Sequence, residues 1–314
     1  MLKVSAVTIT WNSRDAVGGC LESLINDGNV AEIVLVDNAS TDGTPDFVSR
    51  TFPSVKIIKN SENRGFAQAA NAGIAASSGE YVLLVNPDIN FKPGFVAVLA
   101  AALESNPDAG SAAPLLLRPD GRIIDSAGLV MKKNRKAYDR GRDLPFADGA
   151  WTPCRVFGAS GAAALLRRSM LEDVKIFGEC FDESFHSYKE DVDLAWRANL
   201  FGWKSLFVPE AKALHERGWK VSGRKSVPRA IRINSHRNRY LTVIKNDDPV
   251  NFLFHLPWVL SYEIGLVVYS AIFEPFLFLA FRDIINLVPE TLMKRKEIMR
   301  RRKIAPSGVR CLLG

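Results

Sequence analysis

The chain has 314 residues, of which 47% are hydrophobic, and it carries a formal net charge of +7. This length and hydrophobic fraction exclude a single small domain and predict a folded body with a sizeable core. The four cysteines form no C-x-x-C pair, which argues against a disulfide framework or a zinc site and favours reduced thiols in the cytosol. No export signal opens the sequence, so we expect the protein to stay inside the cell.

Strand and helix patterns alternate through the first half of the chain. Strands are predicted at residues 4–10, 31–37, 55–60 and 80–86, with helices at residues 16–26, 44–50 and 65–77. The alternation predicts an α/β fold whose mostly parallel, Rossmann-like sheet is flanked by helices. Ligands bind such sheets at the carboxyl ends of the strands.

Polar side chains follow three of these strands and should converge on one crevice. They are Thr10, Trp11 and Asn12 after the first strand, Asp37 and Asn38 after the second, and Asn86 and Asp88 after the fourth. The sequence has no G-x-G-x-x-G after the first strand and no G-x-x-x-x-G-K-[ST]. Neither a dinucleotide-binding fold nor a P-loop ATPase is therefore supported, and bound phosphates would need another counter-charge.

Asp88 is the candidate ligand for a divalent cation that would supply that counter-charge. It can offer a carboxylate oxygen to a Mg²⁺ or Mn²⁺ ion that bridges a diphosphate, while Asn86 offers a neutral oxygen. One carboxylate makes a weak site, so further ligands would come from the diphosphate, water and His215. The alternatives are an Asx-type turn at Asp88 and a structural imidazole at His215.

An acidic cluster stands where a later helix pattern begins. Glu190, Asp191 and Asp193 open a pattern that ends at Gly202. Backbone N–H groups and the helix dipole favour negative charge on the first turn, so Asp191 could act as a proton acceptor. The alternative is an acidic helix cap with a salt bridge to Arg197.

The last part of the chain, residues 223–314, is predicted to be a basic and apolar helical extension. Residues 217–245 contain many cations without an acid, and residues 294–303 read KRKEIMRRRK, which suits phosphate-bearing partners. Residues 252–281 are apolar but interrupted by charges and prolines, so we expect no membrane span. Their helices would lie on an anionic membrane surface, or pack against the catalytic domain or a second subunit.

Taken together, these motifs resemble the family 2 glycosyltransferases of the GT-A fold, in the branch that contains bacterial rhamnosyltransferases. The resemblance covers nearly the whole chain. It is carried by VTITWNSRD at 7–15, VDNASTDGT at 36–44, NSENRGFAQAANAGI at 60–74, YVLLVNPDI at 81–89, VFGASGAAALLRR at 156–168 and FDESFHSYKEDVDLAWRANLFGW at 181–203.

The resemblance implies a role for each matching residue. Nucleotide-sugar binding falls to Thr10, Trp11, Asn12, Asp37, Asn38, Arg64, Asn71 and Asn86. Asn86 and Asp88 match the D-x-D position of the family with Asn in first place, and His215 matches a histidine that reaches the metal or diphosphate. Asp191 matches the general base, with Glu190 beside it.

The implied function is inverting transfer of a sugar from a nucleotide diphosphate donor to a hydroxyl of a lipid-linked saccharide acceptor, in cell-surface polysaccharide synthesis. The resemblance favours L-rhamnose from dTDP-rhamnose as the sugar. Residues 1–222 would form the catalytic domain, with a nucleotide-sugar half at about 1–113 and an acceptor half at about 114–222 that contains a loop-rich, mobile lid. The protein would bind the inner face of the plasma membrane, as a monomer or an oligomer, without a nucleic acid partner.

Two other classes fit part of the sequence. A sugar-phosphate nucleotidyltransferase could use a similar crevice and metal, but its Gly-rich triphosphate loop is not visible near the first strand. A noncatalytic nucleic-acid-binding protein would explain the basic runs, but it would not need Asp88 or the acidic cluster.

Overall fold

The computed structural model describes residues 3–216 and 227–314. The strands are β1 Val4–Thr10, β2 Val30–Asp37, β3 Lys56–Lys59, β4 Tyr81–Val85, β5 Ile89–Phe91, β6 Ala109–Leu117, β7 Ile124–Ser126, β8 Leu129–Met131, β9 Ala137–Asp139, β10 Cys154–Val156, β11 Ala163–Arg167 and β12 Lys204–His215. The helices are α1 Val17–Asp27, α2 Thr44–Thr51, α3 Gly65–Ala75, α4 Phe95–Glu104, α5 Arg168–Val174, α6 Glu190–Leu200, α7 Arg229–Asn246, α8 Pro249–Phe254, α9 Leu256–Phe273, α10 Leu279–Arg301 and α11 Pro306–Arg310.

The main sheet has the strand order β10-β12-β6-β11-β4-β1-β2-β3, with β5 beside β12 and β7 beside β6. Strands β1, β2, β3, β4, β6 and β12 run in one direction, and β11 is inserted antiparallel between β4 and β6. The parallel register pairs Thr10 with Asp37, so the polar ends of β1 and β2 are adjacent. The predicted α/β fold with C-terminal helices is confirmed.

Both faces of the central strands are buried, which explains their nearly continuous apolar sequences. Successive residues of β4 alternate between two clusters: Val82 and Leu84 pack on the face covered by α3 and α6, and Leu83 and Val85 pack on the face covered by α1 and α4. This two-sided core fixes the carboxyl edge of the sheet, where the predicted ligand-binding residues lie.

Residues 114–169 are more ordered than the sequence predicted. Instead of one long loop, this segment contains the ends of β6 and α5 with five short strands between them, and β8 and β9 form a separate hairpin. The prediction of a structureless lid was wrong because the strands are only three to five residues long, too short to leave a clear pattern.

Helices α7 and α10 pack against each other and join the rest of the protein through buried ion pairs. Lys245 of α7 contacts Asp182, and its Nζ lies 2.9 Å from Asp193 Oδ2. Lys294 Nζ of α10 lies 2.6 Å from the other oxygen of Asp182. These charges hold the C-terminal helices on the same body as the sheet.

The prediction that residues 294–303 form a free anion-binding run was wrong, because most of its cations bind groups of the protein itself. Lys294 is buried against Asp182, Arg295 donates to the carbonyls of Ile244 and Asp247, and Arg302 pairs with Asp248. Of the earlier basic run, Arg217, Lys220, Arg224 and Lys225 lie outside the described residues.

Helix α9 differs from its neighbours because most of its surface is exposed. It is long and apolar enough to cross a membrane by length and composition alone, and 11% of it is buried. Glu263 does not interrupt the helix, and the expectation that residues 252–281 contain no membrane span stays a prediction. Glu263 instead binds Arg239 Nη2 at 2.5 Å and the Tyr240 hydroxyl at 2.7 Å, both on α7.

Candidate active site

A cleft of about 530 Å³ opens at the carboxyl edge of the sheet, between the end of β4 and the start of α6. Five predicted site residues line it together: Asn86, Asp88, Glu190, Asp191 and His215. They come from three distant parts of the chain, since β4, α6 and β12 all end or begin at this edge. The predicted metal-binding and base positions therefore face one space.

Asp191 is held on the first turn of α6 by backbone donors. Its Oδ2 accepts the Gly161 N–H at 3.0 Å, and its Oδ1 accepts the Val192 N–H at 2.8 Å. The side chain is only partly buried. These bonds fix the carboxylate at the cleft wall while leaving it accessible to a molecule in the cleft.

Glu190 has a different environment from its neighbour. It is buried, and its Oε2 has no hydrogen-bond partner among the described residues. Burial, together with the nearby charge of Asp191, raises the pKa of Glu190 from 4.5 to about 8. At neutral pH this carboxyl therefore holds its proton, and it adds no second negative charge beside Asp191.

Asp193, the third member of the acidic cluster, points away from the cleft. It is fully buried, and its Oδ2 lies 3.0 Å from Arg197 Nε and 2.9 Å from Lys245 Nζ. Its Oδ1 accepts a hydrogen bond from Asn246 at 2.7 Å. The predicted salt bridge to Arg197 is made by Asp193, so the capping and catalytic interpretations apply to different residues of the cluster.

His215 lies between two carboxylates at the end of β12. Its Nδ1 is 2.7 Å from Asp125 Oδ2, and its Nε2 is 3.4 Å from Asp88 Oδ1, which is long for a hydrogen bond. Burial alone would lower the pKa of His215, but the hydrogen bonds and negative charges of Asp125 and Asp88 outweigh it and raise that pKa to about 9.

This arrangement fits a divalent cation whose coordination shell is completed by a bound diphosphate and water. Asp88 and His215 present an oxygen and a nitrogen to the same point, and the Asp125 contact fixes the ring of His215, as is usual for metal-binding histidines. A bound cation would have to displace the proton from His215 Nε2, because only the deprotonated nitrogen can be a ligand. Among residues 3–216 and 227–314, no group of three or more His, Cys, Asp or Glu side chains forms a complete metal site. A diphosphate and water would therefore have to supply the remaining ligands.

The ends of β1 and β2 form a second, more rigid group. Thr10 donates to Asp37 Oδ1 at 2.9 Å, and the Ser40 N–H donates to Asp37 Oδ2 at 2.9 Å. The Asn12 side-chain oxygen accepts the Thr41 N–H at 2.8 Å. Beside these buried groups, Trp11 is 58% exposed.

Gly65 connects this group to the loop before α6. The Asn38 side chain donates to the Gly65 carbonyl at 3.0 Å, and Gly65 has a φ of +80°. A Cβ at this position would lie 2.5 Å from the carbonyl oxygen of His186. His186, Tyr188 and Lys189 also have positive φ, so backbone strain is concentrated immediately before Asp191.

Of the predicted nucleotide-binding residues, only Asn86 lines the cleft, and Thr10, Trp11, Asn12, Asp37, Asn38, Arg64 and Asn71 do not. Arg64 precedes α3, and its Nε lies 3.5 Å from Glu62. Asn71 donates to the Phe181 carbonyl at 2.8 Å and to Glu183 at 3.0 Å, and it accepts the Phe181 N–H. The amide of Asn71 is thus occupied in holding the segment before α6 on α3.

The sequence did not single out several residues of the cleft. Asp125, which contacts His215, is 90 residues away from it in the chain, and only the pairing of β7 and β12 with β6 brings them together. Tyr138 and Arg142, near the β8–β9 hairpin, and Tyr188 also line the cleft. The basic and aromatic composition of residues 132–143 was the available signal.

Comparison with known proteins identifies the family and the fold of this chain. The chain is 32% identical over 209 residues to the N-acetylglucosaminyl-diphospho-decaprenol L-rhamnosyltransferase of Mycobacterium tuberculosis, a match that covers 59% of this chain and 66% of that protein, just under two thirds of its length. Crystal structures with the same fold include residues 1–349 of S. aureus TarS, with a TM-score of 0.60, 17% identity, and coverage of 99% and 90% of the two chains.

A second similar structure is the mannosyltransferase of Pyrobaculum calidifontis in complex with GDP-Man and Mn²⁺, with a TM-score of 0.56 and 18% identity over 95% of this chain and 85% of that one. The family model for glycosyl transferase family 2 matches residues 5–175, which include β1 to β4, Asp88 and Asp125. The chain therefore belongs to glycosyl transferase family 2.

Proposed function

We propose that the protein is an inverting, metal-dependent glycosyltransferase that moves a sugar from a nucleotide diphosphate to a hydroxyl of a saccharide acceptor. The observation that carries this proposal is the single cleft shared by Asp88, His215 and Asp191. A donor diphosphate beside Asp88 and an acceptor hydroxyl beside Asp191 would meet there. The similarity to a rhamnosyltransferase favours L-rhamnose, supplied as dTDP-rhamnose.

In this mechanism Asp191 is the general base. The acceptor oxygen attacks the anomeric carbon from the side opposite the diphosphate, its proton passes to Asp191, and the bond from the sugar to the diphosphate breaks. The anomeric configuration inverts, and a nucleoside diphosphate leaves. Neutral Glu190 supports the step because it leaves Asp191 as the charged member of the pair.

The other end of the cleft binds the leaving group. Asp88 and His215 would hold a Mg²⁺ or Mn²⁺ ion, which when bound stabilises the negative charge that grows on the departing phosphate. Asp125 keeps His215 oriented for this contact. The Mn²⁺ in the similar mannosyltransferase structure supports a divalent ion here.

The base and ribose of the donor would bind at the ends of β1 and β2. Exposed Trp11 offers a ring face, and buried Asp37 offers a carboxylate to a pyrimidine N–H. Asn12 and Asn38 shape the loops around them through hydrogen bonds. Arg64 supplies a cation near the nucleotide, and Asn71 acts through the segment that it holds.

The acceptor is proposed to be a lipid-linked saccharide, which would place the enzyme on the inner face of the plasma membrane in cell-surface polysaccharide synthesis. The name of the mycobacterial relative supports this acceptor class. The exposed apolar side chains of α8 to α10 support attachment to a membrane surface. They include Leu253, Phe254, Trp258, Leu260, Ile264, Val267, Val268, Ile272, Phe273, Leu279 and Ile285.

Product analysis with nucleotide sugars tests the reaction class. The protein should release a nucleoside diphosphate from at least one of the dTDP, UDP or GDP sugars when Mg²⁺ or Mn²⁺ and a saccharide acceptor are present. Release of pyrophosphate from a nucleoside triphosphate and a sugar phosphate would instead identify a nucleotidyltransferase. Absence of both products with every donor would contradict the proposal.

A further inference from the structure

A second cavity, of about 380 Å³, lies beside the active-site cleft. It is enclosed by the β8–β9 hairpin, the start of α6, and helices α7 and α9. Both spaces are lined by Ala137, Arg142, Tyr188, Lys189 and Val192. A ligand in the second cavity would therefore lie next to the groups that surround Asp191.

The walls of this cavity are strongly basic. Its cationic side chains are Arg135, Lys136, Arg142, Lys189, Arg232 and Arg239. Within the described part of the chain, no Asp or Glu lines the same space. We call this space the basic cavity. Its charge suits a ligand that carries more than one negative charge.

Two arginines of α7 line the basic cavity, and three of their guanidinium nitrogens are buried without a hydrogen-bond partner among the described residues. Arg232 pairs with Glu274 at 2.8 Å and Arg239 pairs with Glu263 at 2.5 Å, and the side chains of these arginines are only 14% and 11% exposed. The Nε of Arg232 and the Nε and Nη1 of Arg239 have no hydrogen-bond partner among the described residues. Buried donors of this kind are costly unless an acceptor reaches them, and guanidinium groups match phosphate oxygens well.

The basic cavity adjoins a groove whose α9 side is largely apolar and whose other side carries Lys132, Lys133 and Asn134. Tyr262 and Leu266 of α9 line both the cavity and an open groove of about 860 Å³. Pro257, Trp258 and Tyr269 continue the groove along α9. A path therefore runs from Asp191 through a cluster of cations to an exposed apolar helix.

We propose that the basic cavity binds the diphosphate of an isoprenyl-diphosphate-linked saccharide. The saccharide occupies the cleft at Asp191, the diphosphate contacts Lys136, Arg232 and Arg239, and the isoprenyl chain lies along α9. This inference rests on the lipid-linked acceptor of the proposed function. The saccharide, diphosphate and isoprenyl chain follow one another in such a molecule in the same order as the cleft, the basic cavity and the groove along α9. A phospholipid headgroup would not require a connection between the basic cavity and Asp191.

Binding of geranylgeranyl diphosphate to the full chain, measured by isothermal titration calorimetry in mild detergent with EDTA, tests the proposal without glycosyl transfer. The chelator removes any divalent ion that could bind the phosphates elsewhere. Geranylgeranyl diphosphate should bind at least about tenfold more tightly than geranylgeraniol, because the alcohol lacks the groups that contact the cations.

Variants locate the site. Lys136→Gln should weaken binding of the diphosphate by about tenfold. The double variant Arg232→Gln/Glu274→Gln should have a similar effect, and it removes both members of the Arg232–Glu274 ion pair together. Arg50→Gln removes one positive charge, as Lys136→Gln does, but from exposed Arg50 on α2. It is the matched control and should bind geranylgeranyl diphosphate like the wild type.

Three outcomes would overturn the inference: equal binding of the alcohol, unchanged binding by both basic-cavity variants, or equally strong competition by phosphatidylglycerol vesicles. The last result would show that the cations bind bulk anionic lipid. Release of nucleoside diphosphate is assayed separately. Sugar transfer without isoprenyl diphosphate binding would refute only this inference, and binding without sugar transfer would refute only the proposed function.

Discussion

The proposed donor side, at the ends of β1 and β2, and the proposed acceptor side, at the start of α6, are built in different ways. On the donor side, Thr10, Asp37 and Ser40 bond to one another across neighbouring parallel strands. On the acceptor side, α6 is held in place by Asp193 and by the ion pairs of Lys245 and its neighbours, which join residues far apart in the chain. The first arrangement follows from strand register, and the second depends on the packing of the C-terminal helices.

This difference has a consequence for the enzyme. Thr10 and Asp37 are held by adjacent strands of the sheet, so their positions do not depend on the C-terminal helices. The position of Asp191 depends on α6, which contacts α7 through the buried charges around Asp193. We therefore expect changes in α7 and α10 to affect the acceptor side first.

The largest expected effect on stability comes from Lys245→Met, which breaks the acceptor-side network. Lys245 is buried between Asp182 and Asp193, so its loss leaves two carboxylates without part of their counter-charge. The free energy of unfolding should fall by about 3–5 kcal/mol in a urea titration. Lys303→Met, which breaks a pair with Asp173 at 2.9 Å near the surface, is the control and should cost less than about 1 kcal/mol.

Asp191→Asn tests the acceptor side by activity. Asn keeps an oxygen for the Gly161 N–H but cannot take the acceptor proton, so turnover should fall by about 10²-fold or more. Donor binding, measured by titration with nucleoside diphosphate, should stay close to that of the wild type. The donor-side counterpart, Asp37→Asn, should show the reverse pattern, with weaker donor binding and a smaller change in kcat. Near-normal turnover by Asp191→Asn would remove the general-base role.

The same difference explains what the sequence could predict. Strands β1 to β4 and the helices between them have long, regular apolar patterns, and adjacent parallel strands necessarily bring their ends together. The positions of Thr10, Asp37 and Asp88 near strand ends, and of Asp191 on the first turn of its helix, were therefore predictable, whereas their functional roles stay predictions. These features depend on local periodicity.

The rest depends on contacts between distant residues. No local pattern shows that Asp125 contacts His215, or that Asp193 binds Lys245 while Asp191 faces the cleft. The cations at residues 294–303 appeared to be free for a partner because the sequence does not show which side chains face Asp182, Asp248 and the carbonyls of α7. Burial and pairing of a charge are properties of tertiary packing.

Gly65→Ala tests the connection between the two sides. A Cβ at Gly65 would lie 2.5 Å from the His186 carbonyl oxygen, so the loop that leads into α6 would have to shift. We expect a loss of about 1–3 kcal/mol in stability beyond the cost of positive φ, together with lower turnover. Gly28→Ala isolates the φ cost, because Gly28 has a φ of +76° and nothing within 4 Å of its added Cβ. Equal effects of the two substitutions would show that the contact with His186 is unimportant.

Glu190→Gln has the smallest expected effect on turnover. It tests whether Glu190 is neutral in the folded protein. The pKa of Glu190 is raised to about 8 in the folded protein, from 4.5, so between these values the folded state keeps a proton that the unfolded chain has released. The contribution of this group to stability is thus greatest below about pH 4.5 and falls as the pH rises to about 8.

Glu190→Gln removes this dependence, since glutamine does not titrate. Compared with the wild type, the variant should therefore gain at least about 1 kcal/mol in unfolding free energy between pH 5 and pH 8, as measured by urea titrations at a series of pH values. Its turnover at pH 7 should stay within about tenfold of the wild type, because the carboxyl that it replaces is already neutral. A constant stability difference across this pH range would show that Glu190 is ionised in the folded protein, and the cleft would then hold two adjacent negative charges.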